Sequence, residues 1–284
     1  MKGDIEKMRK KRLLKVTAVM AIIFAMAFGL MACKDKETSK KSDTSSKTVT
    51  AMMSGDLKPE SADTVDTSMS VIKFYELVYD PLVRYGENGK IEPALAESYE
   101  ISEDGTVYTF KLRKGVKFSN GEDFNADNVL FNTDRWNEKV RSNFSAKLLD
   151  VKKIDDYTVQ FTFDKAAYPI LIEFTYPRPF RMLAKASIDS NGKFKEPIGT
   201  GQWMVKNYKS GSEVTLVPNP NYWGKKPSFD KLVIKEVKDG QARTMALQSK
   251  EADLSLADIP AEDTKKIEED KDLATLKEES TQSF

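Results

Sequence analysis

The sequence predicts a mixed α/β fold, and three observations carry that expectation. Two six-residue runs alternate apolar and polar side chains with period two, Val107–Leu112 (VYTFKL) and Thr158–Phe163 (TVQFTF), the signature of half-buried strands. Each follows a turn signal, Glu103-Asp104-Gly105 for the first and Asp155-Asp156 for the second. Helical patterns stand apart from these strands instead of alternating with each one, which argues against a regular βα repeat.

The other elements follow in chain order. Gly115 and Gly121 bracket Val116-Lys117-Phe118, read as a short strand. Asn125 has the chemistry of a helix N-cap, because its side-chain oxygen can accept from the free N–H groups of a first turn. A helix is expected behind it over Ala126–Trp136, with Val129, Leu130, Thr133 and Trp136 on one side. Further strands are expected at Trp203–Tyr208, Val214–Val217 and Leu232–Val237, and helices at Ala242–Leu247 and Ala261–Glu268. Gly199 and Gly201 flank Thr200 and permit a tight backbone path. Tyr222-Trp223-Gly224 sets two large aromatics before a turn, read as a structural anchor. Val78, Leu82 and Val83 are assigned to the core. No internal repeat is evident.

The amino-terminal segment speaks to location. Arg9, Lys10, Lys11, Arg12 and Lys15 form a basic cluster, and an apolar run from Ala18 to Ala32 follows it. The run is short for a spanning helix, which needs about 20 residues, and it closes on small residues, as a secretory signal does. Its end, Leu30-Met31-Ala32-Cys33, resembles the bacterial lipoprotein box. That resemblance implies cleavage before Cys33 and a lipid on its sulfur. An uncleaved anchor with an incidental cysteine is the competing reading. Asp4 and Glu6 are unusual in a signal, so Met8 is a second candidate start. Residues 33–47 are then a lipidated cysteine and a polar tether that cannot form a core. Residues 48–284 form the folded part.

Composition excludes several chemistries. The chain has no histidine and a single cysteine, Cys33. Intrachain disulfides, Ser-His-Asp and Cys-His catalysis, and zinc sites built on His or Cys are therefore absent. Composition leaves carboxylate chemistry open, but no paired-carboxylate motif has a clear setting, and the chain is read as a non-enzyme. The whole chain carries 45 Lys/Arg and 44 Asp/Glu. Residues 1–32 hold seven of the former and two of the latter, which leaves 38 against 42 and a net charge of −4. A mildly acidic, mixed-charge surface does not suggest nucleic-acid binding.

Tyr176–Arg181 reads YPRPFR. Proline fixes φ and restricts the residue before it, so Arg178, between Pro177 and Pro179, has an extended backbone and an aimed guanidinium. A guanidinium can grip a carboxylate with two parallel hydrogen bonds. The local sequence fits an anion clamp and fits equally a rigid loop with solvated arginines.

The middle of the chain resembles the extracytoplasmic solute-binding proteins of ABC transporters for peptides and nickel (family 5). The resemblance rests on Val78–Val83 (VYDPLV), Pro93–Ser98 (PALAES), Ser102–Phe118 (SEDGTVYTFKLRKGVKF), Ser119–Glu122 with Ala126–Val129, Pro197–Trp203 (PIGTGQW), Pro218–Pro227 (PNPNYWGKKP) and Arg243–Leu254 (RTMALQSKEADL). These blocks span most of residues 71–256 in the family's order. The resemblance implies a periplasmic-binding-protein-like type II fold of the two-lobed class. It further implies that mainly the first lobe is present, a mixed sheet with a β-rich subdomain. It places an inserted subdomain at about 91–190 and the main subdomain at 48–90 and 191–284. YPRPFR is similar to the nickel-binding branch, which implies that Arg178 contacts the carboxylates of a metal chelate, with Arg181 nearby. Arg141, three residues before Phe144, matches a second chelate-contacting arginine and its pocket aromatic. Bare nickel would want nitrogen ligands; without histidine, no direct metal ligand is expected and the chelator's charge is what would be recognised.

The function so implied is a lipid-anchored, extracytoplasmic binding protein. It captures chelated nickel and delivers it to an ABC permease and its ATPase. An oligopeptide- or dipeptide-binding protein is the alternative on the same scaffold. A surface lipoprotein fragment without a transport role is the alternative of another class. The sequence is about half the family's usual length, so the carboxy-terminal lobe is expected to be missing and ligand binding by this chain alone to be weak.

Overall fold

A computed structural model of the chain describes residues 47–59, 69–86, 89–176 and 180–275. The signal, Cys33, nearly all of the tether, and Pro177-Arg178-Pro179 lie outside the described residues. Two sheets organise what is described. The first has the order β11-β1-β10-β9-β8, with β1 (Thr48–Met53), β8 (Trp203–Lys209), β9 (Glu213–Pro218), β10 (Lys231–Glu236) and β11 (Leu254–Ser255). β1 runs parallel to β10 and β11, while β10–β9 and β9–β8 are antiparallel. The second is antiparallel in the order β4-β5-β7-β6, formed by β4 (Ala96–Ile101), β5 (Val107–Leu112), β6 (Leu148–Asp155) and β7 (Thr158–Phe163). A small ribbon pairs β2 (Val83–Tyr85) with β3 (Ile91–Pro93).

The alternating runs become the inner strands of the second sheet, with one face of each packed on the core. Tyr108, Phe110 and Leu112 of β5 and Val159, Phe161 and Phe163 of β7 point into one core. Phe110 and Phe161 meet edge-on at 5.7 Å. The first sheet packs on α1 (Met69–Val78), whose Val71, Phe74, Tyr75 and Val78 repeat at helical spacing and are buried. A third, smaller cluster joins Met52 and Ala252 to Leu247 of α5 (Gly240–Gln248) and Ile267 of α6 (Ala261–Glu269). Val78, Leu82 and Val83 are core residues, as expected.

Two expected elements are corrected. Val116–Phe118 is not a sheet strand. The Phe118 N–H donates to Glu122 O at 2.8 Å and the Phe124 N–H to Val116 O at 2.9 Å. The segment thus folds back on itself through Gly115 and Gly121, both at positive φ, and leaves only a bridge between Lys117 and Asp123. The helix after Asn125, α2 (Ala126–Asp134), stops two residues short of Trp136. The Arg135 and Trp136 N–H groups bond three residues back, to Asn132 and Thr133, the tightened turn usual at helix ends. Its start is as expected. Asn125 Oδ1 accepts the Asp127 N–H at 2.9 Å, and Asn128 Oδ1 reaches back to the Asn125 N–H at 3.0 Å. Asn125→Ala should therefore lower stability by about 1 kcal/mol, read as a shift of the urea midpoint at unchanged slope.

A polar seam joins the two cores. Asp80 Oδ2 accepts from Thr200 Oγ1 and from Trp223 Nε1, each at 2.9 Å. The Arg113 guanidinium lies 4.7 Å over the Trp223 ring. The anchor role read for Trp223 is what this geometry provides.

Candidate functional site

The site is best built from the segment Phe180–Ala184, which runs between the two cores with period-two alternation. Phe180, Met182 and Ala184 enter the core of the second sheet, and Leu183 enters that of the first. Its backbone is held along its length. The Met182 N–H donates to Asp80 O at 3.4 Å, and the Ala184 N–H to Ile198 O at 3.0 Å. The amide of Asn132 on α2 serves both sides of Leu183, accepting its N–H and donating to its carbonyl, each at 3.0 Å. The described part of the motif, Phe180-Arg181, leads directly into this fixed backbone.

Arg181 sits in this segment and is buried. Its Nη2 lies 4.0 Å from Glu76 Oε1 on α1. Burial pulls its pKa down to about 10, while Glu76 and Asp80 push it back up, so it stays charged at physiological pH. Its surroundings are the seam between the cores and not the groove that Arg141 lines.

Arg141 closes α3 (Glu138–Arg141). Its Nε donates to Trp136 O at 3.0 Å and its Nη2 to Thr133 O at 3.4 Å. The side chain thereby ties α3 back to the end of α2, supplying a donor to Trp136 O and a second one to Thr133 O, which already accepts the Trp136 N–H. It also lines an open groove of about 900 Å³, together with Trp136, Asn137, Glu138, Ser142, Phe144, Ser145, Ala146, Lys147, Leu148, Asp164 and Lys165. Phe144 forms its floor, and only 6% of the residue is exposed. The ring belongs mostly to the aromatic core, 5.0 Å from Phe174 and 5.1 Å from Phe163.

One contact joins the two segments that the sequence reading paired. Phe144 stacks on Phe180 at 4.3 Å with the planes 22° apart, and Trp136 meets the same ring at 5.0 Å. The Arg141–Phe144 turn and the carboxy-terminal half of YPRPFR are therefore packed neighbours. Arg178 itself lies outside the described residues.

Sequence reasoning missed Lys147, Asp164, Lys165 and Ser145 on the groove and Glu173 behind it. Glu173 had a usable signal: it is the sole charged residue in the apolar run Ala166–Tyr176. Its carboxylate is buried and accepts the Ser145 N–H at 3.0 and 3.2 Å and the Ser145 hydroxyl. Among the described residues no cluster of three or more His, Cys, Asp or Glu is placed to hold a metal ion. None of their helices is long and apolar enough to cross a membrane.

Comparison with known proteins settles the lineage. Residues 90–284 match the model of the middle part of the bacterial extracellular solute-binding proteins, family 5. The chain belongs to this family. The nickel-binding periplasmic protein of Escherichia coli K12 is 38% identical over 186 residues, 63% of this chain and 35% of that protein. Di/tripeptide-binding protein 2 of Pseudomonas aeruginosa is 31% identical over 229 residues, 71% of this chain and 43% of that protein. Among solved structures, NikA of Brucella suis in complex with Fe(III)-EDTA superposes with a TM-score of 0.66 at 32% identity, covering 72% of this chain and 42% of that one. This family 5 chain thus spans less than half the length of these relatives, and its relatives include both metal- and peptide-binding members. The expected type II, mixed α/β architecture is confirmed by this family match and superposition.

Proposed function

We propose that this chain is the ligand-capturing part of an ABC importer's binding protein and that its ligand is a carboxylate-bearing metal chelate, nickel being the metal. The stack of Phe144 on Phe180 is the observation that carries the reading. It sets the Arg141 turn beside YPRPFR, at a groove that also carries Lys147 and Lys165. The groove's three basic residues, Arg141, Lys147 and Lys165, outnumber its two acidic ones, Glu138 and Asp164, and beside the aromatic Phe144 and Trp136 they suit an anionic ligand with an organic frame. In this reading Arg178 and Arg141 meet the chelator's carboxylates and Phe144 supports them. Arg181 holds the segment in place from behind. The protein carries out no chemistry, hands its ligand to a permease with its ATPase, and is held at the membrane by lipid on Cys33. The nickel-binding relative at 38% identity supports the metal.

The peptide-binding relative supports a second reading, capture of short peptides. Calorimetry separates the two, using a form of the protein that carries the carboxy-terminal portion found in its relatives. Nickel-EDTA and Fe(III)-EDTA are titrated in one series and a dipeptide and tripeptide pool in another. Heat with the chelates and none with the pool is expected. Heat with peptides alone would overturn the chelate reading.

A further inference from the structure

We propose that Glu173 is a positioning residue of the ligand groove, a buried carboxylate that fixes the Arg141–Ala146 wall against the segment leading into YPRPFR. The proposal rests on the reading of the groove as the ligand site.

Glu173 ends α4 (Ile170–Glu173) and is 3% exposed. An ionised carboxylate only accepts hydrogen bonds, and burying one is costly unless donors surround it. Three hydrogen bonds reach it from Ser145, two from the backbone N–H and one from the hydroxyl. Ser145 directly follows Phe144, and both line the groove. The wall's own backbone bonds are local: the Asn143 N–H donates to Val140 O and the Phe144 N–H to Arg141 O. Beyond them the Arg141 guanidinium bonds Trp136 O and Thr133 O, the Phe144 ring packs in the aromatic core, and two carboxylates reach the segment: Glu173 at Ser145, and Asp164 at the Lys147 N–H at 2.8 Å, next to the backbone bond from the Asp164 N–H to Lys147 O at 3.0 Å. The Asp164 contact is exposed; the Glu173 contact is not.

The same helix reaches the other side of the site. Phe174, the next residue, lies 5.0 Å from Phe144 and 6.2 Å from Phe180. The Tyr176 N–H donates to Glu173 O at 3.0 Å. Glu173 therefore bonds the Arg141 turn through its side chain and the entry to YPRPFR through its backbone. Burial raises the pKa of Tyr108, and the neighbouring Glu173 raises it further.

The test combines amide exchange with a double-mutant cycle. In the ligand-free chain, Glu173→Gln should speed exchange over residues 142–148 by about tenfold or more, with β5 and β7 unchanged. In the form carrying the carboxy-terminal portion, it should weaken Fe(III)-EDTA binding by about tenfold, the loss of a charge-assisted bond. With Arg141→Ala already present, the further loss should be under about twofold, because a residue acting only through Arg141's turn has nothing left to position. Ser145→Ala keeps the N–H bonds and gives a milder version of each effect, should Glu173→Gln not fold. Unchanged exchange at 142–148, or losses that multiply in the double mutant, would overturn the proposal. If the wild-type protein takes up no chelate, the ligand reading fails, and the exchange result alone decides whether Glu173 fixes the wall.

Discussion

Gly199→Ala should cost this fold about 4 kcal/mol or more, measured as a loss of urea midpoint at constant slope. A Cβ at residue 199 would sit 2.0 Å from Val78 O, 2.9 Å from Val78 C and 2.6 Å from Tyr79 Cδ1. Two of these neighbours are backbone atoms at the end of α1, so no side-chain rotation relieves the clash. The Gly201 N–H donates to Val78 O at 2.9 Å, and a Cβ at 201 would lie 2.5 Å from Val78 C. Two backbones touch here, and separating them would break the Asp80–Thr200 hydrogen bond as well. Ordinary overpacking costs about 1–3 kcal/mol, and values above about 4 belong to changes that a fold cannot absorb. Gly115→Ala is the contrast. It stands at φ +77 with nothing within 4 Å of where an alanine methyl would lie, so only the left-handed backbone is penalised, at about 1 kcal/mol. Equal losses at the two sites would show that the seam yields more than its geometry implies.

The sequence is legible where one physical rule dominates. β5 and β7 are paired on both edges and bury one face, so alternation reproduces their limits. β4 and β6 are edge strands with one buried residue each, and their sequences carry no apolar face to read. α1 escapes a sequence reading because Val71, Ile72, Phe74, Tyr75 and Val78 are β-branched or aromatic, a composition that speaks for a strand. Its spacing of buried residues shows as helical only once the packing partner is known. Lys117 and its neighbours resemble a strand as long as the two glycines are read as strand boundaries, when they are the positive-φ corners of a local turn.

The candidate site divides in the same way. Arg141 and Phe144 are legible through family resemblance, and the structure brings Phe144 against Phe180. What resemblance does not supply is the structural role of Arg141, whose guanidinium serves two carbonyls at the end of α2. Ser145, Lys147, Asp164 and Lys165 come from a turn, a strand edge and a loop that converge only in three dimensions. No local spacing rule links residues so far apart in the chain.

Arg178→Ala should weaken chelate binding by at least about 100-fold, since truncating one partner of a desolvated charge pair costs about 2–5 kcal/mol. Stability should stay nearly unchanged. The flanking prolines set their own φ whatever side chain stands between them. The described ends of the segment are held by others: Tyr176 by Glu173 O, and Phe180–Ala184 by ring packing, Asp80, Asn132 and Ile198. The neighbouring arginine predicts the opposite pattern. Arg181 is buried beside Glu76 and Asp80, so Arg181→Ala leaves a cavity and two less balanced carboxylates. It should lower stability by about 2 kcal/mol and affect binding only through the fold. Arg141→Ala should do some of both, because the residue ties α3 to the end of α2 and faces the groove. Measuring Kd for Fe(III)-EDTA and the urea midpoint on all three variants therefore separates contact from support within one motif. Unchanged affinity in Arg178→Ala would remove the clamp from YPRPFR and leave it a rigid connector between two cores.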